Sequence, residues 1–218
     1  MAPEGVSHAA VIAVLTDLDG VLVDSGRLIE DVWRAWSTRH DLDPAVLLAT
    51  MHGRLARQVI EEYAPWLDAD AETTEMDATE RARSSELSAV PGAMSCIDVA
   101  RQHRWAIVTS GVRGLALSRI ESVGIPTPEV LVTADDVSRG KPDPEPYLLA
   151  ATRLGVSPGQ CVVVEDAPAG VAAGKAAGMV VLAVETTHVA EDLTQADAVF
   201  NSMHRVRDEL VRLLGRRR

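Results

Sequence analysis

The sequence predicts an α/β fold built on a mostly parallel sheet. Three observations predict it: short unbroken apolar runs recur along the chain, helix-like segments separate them, and chemically useful residues stand where the runs end. Strands covered on both faces read as continuous apolar runs, and their alternation with helices is the pattern of a parallel sheet with helices on its faces.

The first run, Val11 to Asp17, ends on an acid. Residues 24–90 then contain no buried-strand run. Helical periodicity replaces it, through Leu28, Val32, Trp33 and Trp36, then Val59, Ile60 and Tyr63. This predicts a helical insertion after the first strand. Residues 68–80 carry six acids and no base, which reads as a solvated helix face or loop. Ala89, Val90, Pro91 and Gly92 read as the return hinge. Further strands are predicted at 106–109, 130–133, 161–165 and 180–184, with a sixth candidate at 198–200. Helices are predicted at 115–123, 145–154 and 169–177, each followed by a stop glycine: Gly124, Gly155 and Gly178. Arg216, Arg217 and Arg218 read as a solvated tail.

Composition excludes several classes. The 218 residues are 47% hydrophobic, which fits a folded globular chain. No apolar run reaches the roughly 18–20 residues that span a bilayer, and no basic segment leads into an apolar one at the start, so a cytoplasmic protein is expected. The net charge of −11 argues against nucleic acid as a partner but leaves a small phosphorylated metabolite open. A monomer is expected. Cys96 and Cys161 lack metal-ligand spacing and are expected to be reduced thiols. Lys141 and Lys175 are the only lysines.

Four motifs stand at predicted strand ends, the edge where open α/β sheets bind ligands. In Asp17-Leu-Asp19-Gly20-Val-Leu-Val-Asp24-Ser25, two acids spaced by one residue leave the strand on one side, and Gly20 permits a sharp turn. Asp17 could attack phosphorus while Asp19 protonates the leaving oxygen, a division of labour open to paired carboxylates; an ordinary Asp-x-Asp turn is the alternative. Thr109-Ser110-Gly111 could hold phosphate oxygens through hydroxyls and backbone N–H groups, or be a plain turn. Lys141, between Gly140 and Pro142, could neutralise charge on nucleophile and phosphoryl group, or be solvated. Glu165 and Asp166 offer the hard oxygen ligands that suit Mg²⁺, although Asp166 could instead cap the following helix. The stretch from Gly170 to Lys175 superficially matches a phosphate-binding P-loop, but the spacing is one short and no hydroxyl residue follows the lysine. Its glycines read instead as sites of close helix packing.

Together, in this order and spacing and with the insertion after the first, these motifs resemble the haloacid dehalogenase superfamily over almost the whole chain. The resemblance is nearest to its sugar and polyol phosphatases, a group that includes glycerol-3-phosphatases, 2-deoxyglucose-6-phosphatases and hexitol phosphatases. It implies a Rossmann-like parallel core, residues 1–22 and 91–218, with a C1-type helical cap, residues 23–90. It implies a Mg²⁺-dependent phosphatase of a small sugar or polyol phosphate that works through an aspartyl-phosphate on Asp17. Asp19 would be the general acid and then the base for water. Asp17, the Asp19 carbonyl and Asp166 would hold the metal, with Glu165 assisting through water. Thr109, Ser110 and Lys141 would bind phosphate, and His52, Gly53 and Arg54 in the cap would face the substrate. One departure concerns substrate choice: Arg81, Arg83, Ser84 and Ser85 replace much of an acid-rich stretch before the hinge, where Glu80 still matches.

Residues also weigh against rivals within the superfamily. A dehalogenase lacks the second acid, present here as Asp19. Phosphonate hydrolysis uses a cap lysine, and the insertion has none. A β-phosphoglucomutase-like phosphotransferase shares core and cap type and is the nearest enzymatic alternative. A sugar-phosphate binding protein without catalysis would not require the Asp17/Asp19 pair.

Overall fold

The computed structural model describes residues 10–215, so the arginine tail lies outside the described residues. The main sheet contains β1 (Ala13–Thr16), β4 (Arg104–Val108), β5 (Val130–Val132), β6 (Cys161–Glu165), β7 (Val180–Val184) and β8 (Ala198–Phe200). They lie in the order β5-β4-β1-β6-β7-β8, with every neighbouring pair parallel. β1 is central: Val14 stands beside Trp105 on one side and Val162 on the other.

The unbroken apolar runs follow from two-sided burial. Val14, Ile107, Val162, Val164 and Leu182 point to one face, where α5 (Ala93–Ala100), α6 (Arg113–Ser122) and α9 (Met203–Leu214) cover them. The intervening Ala13, Leu15, Ala106, Val108, Val163 and Val181 meet α7 (Glu145–Leu154) and α8 (Pro168–Ala176) on the other. Gly174 admits this packing, because an added Cβ would stand 2.8 Å from Val181. The predicted α/β fold with a helical insertion after the first strand is therefore the fold formed. Cys96 and Cys161 are both buried and free. No helix among the described residues is long and apolar enough to cross a membrane.

The insertion folds as four helices: α1 (Gly26–Arg39), α2 (Pro44–Met51), α3 (Ala56–Tyr63) and α4 (Ala69–Ala82). They share an apolar cluster of their own that includes Leu28, Trp33, Trp36, Leu47, Ile60 and Met76. The acidic segment is α4, capped by the Asp68 side chain on the N–H groups of Asp70 and Ala71. It is not wholly a solvated face, since Met76 and Glu80 are buried. Trp36 Nε1 donates to Glu72 at 2.8 Å, tying α4 to α1.

Two short strands lie outside the predicted set. β2 (Val23–Asp24) and β3 (Ser88–Ala89) pair antiparallel and bring the two linkers of the insertion side by side. Two residues are too few to show a period. The helices α5 and α9 also lie beyond the predicted set, although Met203, Val206, Leu210 and Leu214 mark the buried stripe of α9.

Candidate active site

β1 delivers Asp17 into a groove between its neighbours, and the Asp17 N–H donates to the Val164 carbonyl at 3.0 Å. Leu18 turns into the core, leaving Asp17 and Asp19 on the ligand side. Gly20 adopts φ +75°, and a Cβ there would stand 1.9 Å from Asp166 Oδ2. Both the left-handed backbone and the closeness of Asp166 therefore require glycine.

β6 delivers Glu165 and Asp166. Glu165 is enclosed: its Oε1 accepts from Lys141 Nζ at 2.6 Å and from Tyr147 OH at 2.5 Å, and its Oε2 accepts from the Asp166 N–H at 3.1 Å. Gly170 makes the space, since a Cβ would fall 1.8 Å from Glu165 Oε1. Lys141 Nζ also donates to the Val108 carbonyl at 3.1 Å and pairs with Asp17 Oδ1 at 3.0 Å. The lysine is buried, not solvated. Nor does Asp166 cap α8, because Ala167 occupies that position and Thr187 Oγ1 donates to Asp166 Oδ2 at 2.5 Å.

Burial dominates the electrostatics. It pushes the Asp17 carboxyl up to about 7, with Lys141 opposing and Glu165 and Asp19 reinforcing the rise. Burial, then Glu165 and Asp17, hold Asp166 well above the carboxylate range. Burial works against the charge of Lys141, but Asp17 and Glu165 outweigh it and keep the ammonium protonated. Three buried carboxylates thus face one ammonium.

That imbalance fits a cation. One oxygen each from Asp17, Glu165 and Asp166 lies within 4.8 Å of the others. Asp17 Oδ1 is buried without a hydrogen bond, although it pairs with Lys141 by charge. Hard oxygen donors of this kind suit a divalent metal ion, and a lone buried carboxylate group without compensation is costly.

Asp19 stands slightly apart. Its Oδ1 accepts from Ser25 Oγ at 2.6 Å and its Oδ2 from Arg119 Nη1 at 2.5 Å. Thr109 is buried beside it, with its hydroxyl accepting from the Gly111 N–H at 3.1 Å. Ser110 instead donates to the carbonyl of Gly53 in the insertion at 2.8 Å. A cavity of about 690 Å³ opens over these residues, and its outer wall is formed by the insertion. His52, Gly53 and Arg54, on the turn between α2 and α3, line that wall. Arg54 pairs with Glu62 at 2.6 Å, and the His52 and His188 rings meet edge-on at 5.4 Å. Burial, then His188, holds His52 below its ordinary value.

The structure thus brings Asp17, Asp19, Thr109, Lys141, Glu165 and Asp166 to one end of the sheet. Arg119 and Thr187 lie outside the four sequence motifs, and Ser25 closes the first of them without a role that the sequence assigns. Arg119 left a legible trace, since a lone arginine sits in the buried stripe formed by Leu115, Ala116 and Ile120. A charge in that position needs a buried partner.

Residues 12–178 match the family of haloacid dehalogenase-like hydrolases. The chain belongs to this family. Among curated members, it is 43% identical to hexitol phosphatase A of Escherichia coli, covering 88% of this chain and 91% of that one. It is 37% identical to validoxylamine A 7'-phosphate phosphatase of Streptomyces hygroscopicus subsp. limoneus, covering 88% and 94%. The crystal structure of β-phosphoglucomutase from Clostridium difficile superposes with a TM-score of 0.82 at 21% identity, over 93% of this chain and 96% of that one. At that identity the likeness concerns the haloacid dehalogenase-like fold alone.

Proposed function

We propose that this hydrolase is a Mg²⁺-dependent phosphatase of a small sugar or polyol phosphate, acting through an aspartyl-phosphate on Asp17. The observation that carries the reading is the buried Asp17, held against Lys141 and grouped with Glu165 and Asp166 beneath an open cavity. The substrate class is supported by relatives named for a hexitol and for validoxylamine A 7'-phosphate.

Asp17 attacks phosphorus and the ester P–O bond breaks, while Asp19 gives its proton to the departing alkoxide. Water then attacks the phosphorus of the aspartyl-phosphate while Asp19 takes a proton from it, the P–O bond to Asp17 breaks, and inorganic phosphate leaves with the Asp17 carboxylate regenerated. Asp17, the Asp19 carbonyl and Asp166 would hold Mg²⁺, with Glu165 behind them. The ion would offset charge between the carboxylates and the incoming phosphate. Lys141 keeps Asp17 oriented and partly neutralised. Thr109 would contact phosphate oxygens, and Ser110 contributes through its bond to Gly53.

In this enzyme residues 23–90 would act as a cap over a core of 1–22 and 91–218, a division supported by the separate apolar cluster of the four inserted helices. A cytoplasmic monomer goes with it, and size-exclusion chromatography tests the second term. The deciding experiment is phosphate release over a panel of hexitol, hexose and glycerol phosphates with Mg²⁺. Turnover of at least one is expected, and no release from any would overturn the reading.

A further inference from the structure

Arg119 is a buried charged residue that the mechanism above leaves without a task. It lies on α6 of the core, 3% exposed, between two carboxylates of different origin. Nη1 donates to Asp19 Oδ2 at 2.5 Å, and Nη2 pairs closely with Glu80 on α4 of the insertion. Glu80 is itself buried, and the Asp77 charge acts on the same guanidinium.

A buried arginine between two acids is a costly arrangement that apolar packing would replace at similar volume. What the guanidinium adds is geometry. Its planar fork fixes direction at both ends, unlike a lysine ammonium. At the Asp19 end it completes a bracket, because Ser25 Oγ already holds Oδ1 at 2.6 Å. Each Asp19 oxygen thus has its own close donor, with the Thr109 hydroxyl more distant at 3.5 Å from Oδ2, so the carboxyl is held from both sides.

The far end is set by the insertion. Along the same seam, Ser118 Oγ of α6 donates to Ser84 Oγ at 3.0 Å. Gly114 of α6 is where Arg81 lies close, since a Cβ there would fall 2.6 Å from Arg81 Nη2. Gly114 and Ser118 are one turn apart on α6, so α4 and its following turn dock on a defined face of the core beside Asp19.

We propose that Arg119 is a positioning residue for Asp19, and that Glu80, carried by the insertion, fixes Arg119 in the orientation that proton transfer requires. The inference rests on the reading of Asp19 as the proton-transfer group. It makes that group a joint product of core and insertion: Ser25 and Arg119 hold the carboxyl, and Glu80 holds the arginine.

The test uses two esters that differ in leaving ability, phenyl phosphate and p-nitrophenyl phosphate. A poor leaving group needs the proton from Asp19 and a good one hardly does. Glu80→Gln, Arg119→Met, Arg119→Lys and Asp19→Ala are compared with the native enzyme by the ratio of kcat/KM for the two esters. A ratio within one preparation is independent of how much protein is folded, so partial unfolding does not disguise the result. Glu80→Gln and Arg119→Met should lower phenyl phosphate turnover about tenfold more than p-nitrophenyl phosphate turnover, in the direction of Asp19→Ala. Arg119→Lys, with one ammonium in place of the fork, should fall between. If Asp19→Ala discriminates between the esters but Glu80→Gln and Arg119→Met do not, the positioning role is wrong and the reading of Asp19 stands. If Asp19→Ala affects both esters equally, the reading of Asp19 fails and this inference falls with it.

Discussion

Ser110 Oγ donates to the backbone carbonyl of Gly53 at 2.8 Å, joining the strand-end motif of β4 directly to the insertion. Gly53 has φ +76°, and a Cβ there would stand 3.0 Å from the Cβ of Ala167. The turn between α2 and α3 therefore rests on the loop that follows Asp166. The absence of a side chain at Gly53 sets how closely the insertion approaches the site.

Gly53→Ala should lower kcat/KM about tenfold or more, from the strained backbone and the crowding against Ala167. Ser110→Ala removes one hydrogen bond and should cost about twofold to tenfold. Steady-state kinetics with the preferred phosphate ester checks both. Equal and negligible effects would mean that this contact has no part in turnover.

Asp17→Asn should abolish turnover and leave no covalent phosphate, because an amide is not a useful nucleophile toward phosphorus. Asp19→Ala keeps the nucleophile and loses the proton donor and base, an effect of about 10²–10⁴-fold. With p-nitrophenyl phosphate it should accumulate one phosphoryl group on Asp17, visible by intact mass. An active Asp17→Asn enzyme would remove the covalent mechanism.

EDTA should stop phosphate release, and Mg²⁺ should restore it. A second readout needs no substrate. Without metal, burial lifts Asp17 from 3.8 to about 7 and holds Asp166 high, so the folded state keeps protons that the unfolded chain has already released. Metal-free stability should therefore fall as pH rises from about 4 through about 7. Saturating Mg²⁺ should raise Tm, more at about pH 8 than at about pH 5, with about 2.7 kcal/mol of stabilisation at a hundredfold excess over Kd. A Tm insensitive to Mg²⁺ at both pH values would speak against a metal among these carboxylates.

Lys141→Met should be strongly destabilising, by about 3–5 kcal/mol, because it strands the buried Asp17 and Glu165 without their shared cation. Tyr147→Phe removes one donor from Glu165 Oε1 and leaves the lysine in place, so it should cost only about 1–3 kcal/mol. Urea unfolding orders the two. A Tyr147→Phe loss equal to that of Lys141→Met would mean that the charge of the lysine is not what holds the cluster.

Much of this protein is legible in its sequence. Runs such as 161–164 and 180–184 announce strands because two-sided burial leaves no polar position, and the helix at 145–154 is bounded by Pro142 and Pro144 before it and Gly155 after it. Asp17, Asp19, Glu165 and Asp166 are visible because each sits at or just past the end of such a run, where a parallel sheet presents its ligand edge, and Lys141 because it is held between Gly140 and Pro142 ahead of a helix. The pairing of β2 with β3 carries no comparable signal, since two-residue strands show no period. Tertiary structure alone decided which partners those residues meet. It enclosed Glu165 between Lys141, Tyr147 and its own neighbour, and it turned Ser110 to the insertion. It also set Arg119 between Asp19, 100 positions away, and Glu80, 39 positions away. Periodicity reports which way a side chain faces, whereas a buried ion pair depends on where the chain returns, and that is fixed only when the sheet and the inserted helices are packed together.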